Sequence, residues 1–221
     1  EMGVKEKVVL ITGAGGSIGS ELCKQIYNLN PKKMILFDMN ENNLYLINKS
    51  LNNLKMKFPI KSLLGNACNY ETLKKILLEN KVEVVFHTAA YKHVPLVEIN
   101  AVEGIRNNIV STYRVCSAAE NTYVKNVVFI SSDKAVRPTN IMGASKRLSE
   151  LIVKGFSNKK PKNIDLDPII FSMVRFGNVL DSSGSVVPLF RSQIKSGGPI
   201  TLTDERILRY FMTISEASQL V

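Results

Sequence analysis

The stretch SSDKAVRPTNIMGASK, residues 131–146, gathers groups that can exchange protons. Ser132, Asp133 and Lys134 set a hydroxyl, a carboxylate and an amine side by side, and Met142 and Lys146 follow on what reads as a helix. Four residues apart, those last two share one helix face. Proton transfer works best from groups whose pKa lies near the working pH. A carboxyl enclosed beside a substrate rises toward that range, and an amine beside a second amine in a buried place falls toward it. Asp133 is therefore the expected acid, Lys134 the expected base, and Ser132 the group that holds a substrate oxygen, directly or through a water. Met142 has no proton to give, so its position on the helix carries no acid/base work. The plainer reading has Asp133 capping a turn, Lys134 and Lys146 in solvent, and Met142 in the core.

A second set of residues suits an anion. ITGAGGSIGSEL, residues 11–22, spaces Gly13, Gly16 and Gly19 as GxxGxxG between an apolar run and a helical pattern. Glycines there permit a tight turn and a close backbone approach to a pyrophosphate. The helix opening at Ser17 and Ile18 turns its N–H groups and dipole toward that anion. Asp38 closes the next apolar run. A carboxylate at that point accepts both ribose hydroxyls of an adenosine and repels a 2′-phosphate, which favours NAD over NADP. Aspartate is also a good N-cap, so Asp38 has the alternative of capping the helix that follows.

The elements that must position these residues are short apolar runs alternating with helical patterns. KVVLIT (7–12), KMILFD (33–38), FPIKSLL (58–64), VEVVFHTAA (82–90), NVVFISS (126–132) and IIFSMVRF (169–176) read as strands, most of them buried on both faces. Helical spacing fills 17–29, 41–56, 69–80, about 101–123 and 141–156. The alternation predicts an α/β fold, a doubly wound parallel (Rossmann) sheet. Ligands of such sheets lie beyond the strand carboxyl ends, which is where Gly13, Asp38 and Ser132 fall. SNKKPKNIDLDP, from 157, reads as a loop, and later turns such as DSSGS and KSGGP introduce short mixed elements. The expected division is a nucleotide-binding domain over 1–165, then the last core strand and a partial substrate-binding lobe over 166–221. TISEASQLV at the end reads as the opening of an amphipathic helix, as if the natural protein continues.

Composition narrows the classes. With 221 residues, 45% hydrophobic and 22% charged, the chain describes a globular protein. No apolar run approaches the ~20 residues of a membrane-spanning helix. Three scattered cysteines, Cys23, Cys68 and Cys116, favour reduced thiols and a cytoplasmic setting, and two histidines exclude a multi-histidine metal centre. No metal is expected. The net charge of +10 suits a phosphorylated substrate, but the lysines are dispersed and no basic helix interleaved with aromatics appears. Nucleic acid is not an expected partner.

TGAGGSIGSEL, AAYKHVP, SSDKAVRPTNIMGASKR, RFGNVLDSSGSVVPLF and RYFMTI resemble the extended short-chain dehydrogenase/reductase superfamily. Within it they are most similar to bacterial polysaccharide-biosynthesis UDP-N-acetylglucosamine 4,6-dehydratases, whose site holds Ser-Met-Lys where relatives hold Ser-Tyr-Lys. That resemblance implies a lyase with tightly held NAD, serving capsule, lipopolysaccharide or protein glycosylation. The implied reaction oxidises C4 of the hexose, eliminates water across C5 and C6, and returns the hydride to C6. Asp133 would be the acid at O6 and Lys134 the base at C5; a water or Asp133 takes the O4 proton. Lys146 would hold the nicotinamide ribose. The family's GDxxD at the adenine reads GNACN here, placing Asn66 and Ala67 at that position. Ala89 and Ala90 match its cofactor-lining strand end, and Asn108 its helix asparagine that supports the site.

On the substrate side, Asn178 matches a family position at the sugar-nucleotide diphosphate, and Arg209 matches RYFMTI. Lys92 faces the same crevice and meets substrate or the catalytic loop; His93 reads as structural. Arg175 is either a phosphate ligand or half of an ion pair. The expected substrate is UDP-N-acetylglucosamine or a related UDP-sugar. The superfamily implies a homo-oligomer, and full-length members of the subgroup imply a membrane anchor in a longer natural chain. Two other readings use the same residues. A nucleotide-sugar 4-epimerase would need the cofactor but no elimination acid, and a noncatalytic NAD-binding scaffold would need neither Asp133 nor Lys134.

Overall fold

The computed structural model describes residues 3–55, 57–159, 167–182, 184–202 and 204–221. Six strands form one parallel sheet: β1 (Val8–Thr12), β2 (Lys33–Asp38), β3 (Ile60–Leu64), β4 (Val84–His87), β5 (Asn126–Ile130) and β6 (Ile170–Val174). Their order is β3-β2-β1-β4-β5-β6. The chain reverses direction across the sheet between β1 and β4, and the crevice at that switch point is where such sheets take ligands. The doubly wound parallel sheet is as the sequence predicts.

Every residue of β1 and β4 is buried, which explains their uninterrupted apolar character: both faces carry helices. On one face Val9, Ile11, Met34 and Leu36 pack against Leu22, Ile26 and Leu44. On the other, Leu10, Ile35 and Val85 pack against Leu73, Leu77, Val115 and Ala118. Asparagines open the helices that follow β2 and β3. Asn40 accepts from Asn43 N at 2.9 Å to open α2 (Glu41–Asn52), and Asn69 accepts from Thr72 N at 3.0 Å to open α3 (Tyr70–Glu79). The first helix, α1 (Ser17–Asn28), opens at Gly16.

Two expectations change in the middle of the chain. The apolar run 82–90 contributes only Val84–His87 to the ladder. Thr88 Oγ1 donates to the carbonyls of Thr12 and Gly13, at 2.7 and 3.1 Å, and the backbone then leaves the sheet. The helix expected over about 101–123 runs without a gap over 101–119, but it widens within. Two short helices, α4 (Val94–Ile99) and α5 (Ala101–Ile105), lead into a π-helical turn at Arg106–Val110 and then α6 (Ser111–Ala119). The wider turn carries Asn107 and Asn108, both buried, and such turns recur at functional sites.

The long helix α7 (Ile141–Ser157) follows β5 and carries the Met142–Lys146 face. Beyond the sheet, β7 (Asn178–Val179) pairs in parallel with β8 (Phe211–Met212), and α8 (Val186–Lys195) lies between them in sequence. The chain ends on α9 (Ile214–Gln219), opened by a reciprocal cap between Thr213 and Glu216 as the sequence suggests. Gln25 of α1 donates to the Ser215 carbonyl at 3.1 Å, tying α9 to the nucleotide side. The expected boundary at 165/166 and residues 160–166 of the expected loop lie outside the described residues.

Candidate active site

The glycine turn is built by exclusion. Gly13 has φ of +68°, and a Cβ there would lie 2.6 Å from Ala89 N; one on Gly19 would lie 2.0 Å from Gly13 O. Side chains at either place would push the turn off β4 and α1 apart from it. Gly16 is the N-cap of α1 and brings no side chain to the first turn. Gly15, absent from the sequence prediction, is equally constrained, because a Cβ there would sit 2.5 Å from Asn43 Cβ.

Asp38 lies at the carboxyl end of β2, nearly buried. Its Oδ2 accepts from Gly15 N at 2.8 Å and its Oδ1 from Asn40 N at 2.9 Å. The capping alternative for Asp38 fails: the N-cap of α2 is Asn40. A carboxylate anchoring the glycine turn is held at the rim of a cavity of about 240 Å³, whose wall also includes Asn66, Ala67, Ala89 and Ala90. Asn66 Oδ1 accepts from Cys68 N at 2.8 Å, which fixes that side of the wall.

The cavity shares Gly13, Gly16, Thr88, Ala90 and Tyr91 with a larger cleft of about 740 Å³. Ser17, Ile18 and Gly19 line that cleft from α1, Lys92 and His93 from the segment after β4, Ser132 and Lys134 from the turn after β5, Met142 and Lys146 from α7, and Asn178 from β7. The two cavities share the glycine turn, and the larger carries the Ser132 hydroxyl and the Lys134 amine on its wall; Asp133 is not part of that wall.

The cluster is tightly connected. Ser132 Oγ donates to Asp133 Oδ1 at 2.9 Å, and Lys134 Nζ donates to Asp133 Oδ1 at 3.1 Å and to Asn178 Oδ1 at 2.9 Å. Ser132 also accepts from Lys134 N and so opens a 3₁₀ turn at Asp133–Ala135. The capping role in this turn belongs to Ser132 rather than Asp133. The enclosure expected around Asp133 is not made by the chain's own groups: its side chain is 47% exposed and points into an ion pair with Lys134.

Lys146 is the enclosed amine. It is buried, donates to Ile130 O at 2.8 Å and sits 4.8 Å over the Phe129 ring. Burial lowers its pKa to about 8, with Glu150 pulling the other way. Met142 is buried against the cleft, as its type requires. Asn108 supports both sides: its Oδ1 accepts from Tyr91 N at 2.8 Å, and its Nδ2 donates to Tyr91 O at 3.0 Å and Ser145 Oγ at 2.9 Å.

The structure separates the two arginines from the cleft. Arg175 Nε donates to Glu150 Oε1 at 2.6 Å and Nη2 to Glu150 Oε2 at 2.5 Å, so it is half of an ion pair. Glu150, which sequence reasoning missed, also accepts from Ser131 Oγ and Arg147, and these donors hold its pKa down at about 2 against the effect of burial. Its position one turn after Lys146 was the available signal. Arg209 is exposed, donates to the neighbouring Leu208 carbonyl at 3.3 Å, and is not part of the cleft wall. His93 lines the cleft with its ring against Gly184, where a Cβ would lie 2.1 Å from Cε1. Among the described residues no group of acidic, histidine or cysteine side chains is placed to hold a metal ion, and no helix is long and apolar enough to cross a membrane.

Fold and groove together define a Rossmann-type protein whose glycine turn opens into a cleft that also holds Ser132, Lys134 and Lys146. Residues 9–221 match the family described as "Polysaccharide biosynthesis protein", and the chain belongs to that family. It is 45% identical to the capsular polysaccharide biosynthesis protein CapD of Staphylococcus aureus over 97% of this chain and 35% of that protein. It is 35% identical to a UDP-glucose 4-epimerase of Rickettsia rickettsii over 98% of this chain and 62% of that one. The chain thus spans between about a third and two thirds of these relatives' length. Among solved structures it is similar to Pen from Bacillus thuringiensis, with 37% identity, a TM-score of 0.90, and cover of 99% of this chain and 67% of that one.

Proposed function

We propose that this chain carries the cofactor half and the acid/base cluster of an NAD-dependent UDP-amino-sugar 4,6-dehydratase. The observation that carries the reading is that Ser132, Lys134 and Asn178 line the same cleft as Lys146 and the glycine turn, with Asp133 bonded to both Ser132 and Lys134. The cradle fits the diphosphate of a dinucleotide. Its glycines leave no space for a Cβ, Gly16 keeps side chains out of the helix opening, and Asp38 holds a carboxylate at the adenosine end. NAD bound there supplies a hydride acceptor and donor. Lys146 positions that cofactor's ribose while its ammonium is retained on Ile130 O.

Asp133 hands its proton to the departing O6, and Lys134 takes the C5 proton. Before that step Lys134 Nζ passes a proton to Asp133 Oδ1 across their 3.1 Å contact, and the O4 proton leaves to a water as C4 is oxidised, so each group carries the proton its role needs. Ser132 orients O4 with its hydroxyl. Asn178, already bonded to Lys134, meets the sugar diphosphate, and Lys92 stands at the rim. A glycan-building role fits the capsular relative.

The test is a proton NMR time course in deuterated water with NAD and UDP-N-acetylglucosamine. The expected product is a 4-keto sugar with a new C6 methyl group and deuterium at C5. Asp133→Asn is expected to slow it by about 10² or more. The relative named as a UDP-glucose 4-epimerase favours a second reading. Under it the same run yields a C4 epimer without a methyl signal, and Asp133→Asn has little effect. Cofactor retention with neither product would support the scaffold instead.

A further inference from the structure

Behind the cleft lies a buried chain of hydrogen bonds that the proposed chemistry does not use. His87 ends β4, and both ring nitrogens are engaged. Nδ1 is 2.7 Å from Thr12 Oγ1, and Nε2 is 3.3 Å from Thr112 Oγ1 with Ser111 Oγ at 3.4 Å. The direction of the chain follows from its far end. Thr112 Oγ1 donates its one proton to the Asn108 carbonyl at 2.7 Å, so toward His87 it accepts. Nε2 then bears the imidazole proton, and Nδ1 accepts from the Thr12 hydroxyl. Ser149 Oγ donates to the same Asn108 carbonyl at 3.0 Å.

The two ends of this chain are functional ground. Thr12 precedes Gly13, so one end is the strand that carries the glycine turn. The other end is Asn108, in the π-helical turn, whose amide clamps the Tyr91 backbone and bonds Ser145 between Met142 and Lys146. Ser145 in turn donates to Met142 O at 2.7 Å. Any buried neutral histidine needs a partner for each ring nitrogen, and the partners taken here are what matters. This one joins three elements in a fixed direction, and the imidazole must stay uncharged to do so, because a second proton would place a donor against Thr12 and a cation near Lys146. Burial and Lys146 hold it in that state, with a pKa near 3.

We propose that His87 is a positioning residue: with its proton on Nε2, it relays order from the glycine-turn strand through Thr112 to Asn108, and so sets the Met142–Lys146 face of α7 against Ser132. Its consequence for turnover rests on the dehydratase reading; the placement itself does not. The test therefore has an arm that needs no turnover.

Hydrogen–deuterium exchange is measured on the free chain for wild type, His87→Leu, His87→Gln and Thr112→Val. Glutamine retains an acceptor and a donor, leucine neither, and Thr112→Val cuts the relay while leaving the imidazole and the core volume intact. His87→Leu and Thr112→Val are expected to speed exchange at 106–112 and 141–147 by about tenfold or more, with β1 and β5 unchanged and glutamine close to wild type. A long-range nitrogen–proton spectrum, simple in a chain with two histidines, is expected to place the His87 proton on Nε2. With substrate, kcat is expected to fall about tenfold in the two disrupted variants at nearly constant KM, with recovery in His87→Gln. Uniform loosening of the chain, no change at 141–147, a proton on Nδ1, or a glutamine variant as poor as leucine would each overturn the proposal. The exchange pattern without any turnover in wild type would retain it and remove the dehydratase reading.

Discussion

At the scale of single residues, the position held by Met142 decides which groups are left to carry charge. Its thioether is buried and neutral, so the amine one helical turn later has no phenol beside it. Lys146 answers mainly to burial, which takes its pKa from 10.5 to about 8. The ammonium is fully present below that value and is lost as pH rises through it. If Lys146 must be charged to hold the cofactor's ribose, activity falls on the alkaline side with a limb near pH 8, about tenfold per unit beyond it. Lys146→Arg is expected to remove that limb, since guanidinium keeps its proton. Met142→Leu is expected to leave the limb and the turnover nearly unchanged, because only volume is asked of that side chain. A pH–rate profile of the three proteins checks all of this. Stability moves in the opposite sense. The folded value lies below the ordinary one, so the buried charge weighs against folding below about pH 8, and that handicap fades between there and 10.5.

Elements place the cluster through contacts that leave no room for adjustment. The N-cap Asn140 accepts from Gly143 N at 2.8 Å, and Glu98 Oε1 accepts from Ile141 N at 2.6 Å, so α7 starts at one fixed point. There it runs against the turn after β5: a Cβ on Gly143 would lie 2.4 Å from the Lys134 carbonyl. Gly143→Ala is favourable for helix propensity, yet it should displace Ser132–Lys134 and cost about 1–3 kcal/mol through overpacking. Denaturant melts and cofactor titration separate the two effects: a lower midpoint and impaired turnover are expected, with cofactor binding at the distant glycine turn retained. Strand–helix alternation was legible in the sequence because it is a local signal. Gly143 was not, since its neighbour is a carbonyl nine residues earlier, and nothing local marks a close approach. The π-helical turn inside the 101–123 segment escaped for a similar reason. A π-helical turn at Asn108 is worthwhile only because Tyr91, Ser145 and Ser149 meet it from elsewhere.

Across the whole molecule, burial is unevenly shared. The buried apolar side chains come almost entirely from the six-stranded sheet and its helices. Beyond residue 175, among the described residues, only Val179 and Ala217 join them, and α8 buries none. Leu202, Leu208 and Tyr210 stand largely exposed there. The shift to short mixed elements after 176 is present as the sequence suggests, but it did not indicate that Arg209 would lie outside the cleft. That position depends on how β8 pairs with β7, which no local pattern sets. We propose that the lobe is a separate, less stable unit whose order depends on ligand. Asn178, Val186 and Phe211 line the cleft, so a nucleotide-sugar that bridges the cleft would stabilise the lobe by its own binding energy. Trypsin is expected to cut first at Lys195 and Arg206, both exposed, before any site in the sheet, and α9 should survive longer than α8 because it is bonded to α1. A saturating UDP-sugar at about 100 times its Kd should slow those two cuts by about 10², while NAD alone, held at the glycine end, should slow them little. Mass spectrometry of the early fragments reads the order directly. Equal protection by both ligands would mean that the lobe and the cofactor domain open as one unit.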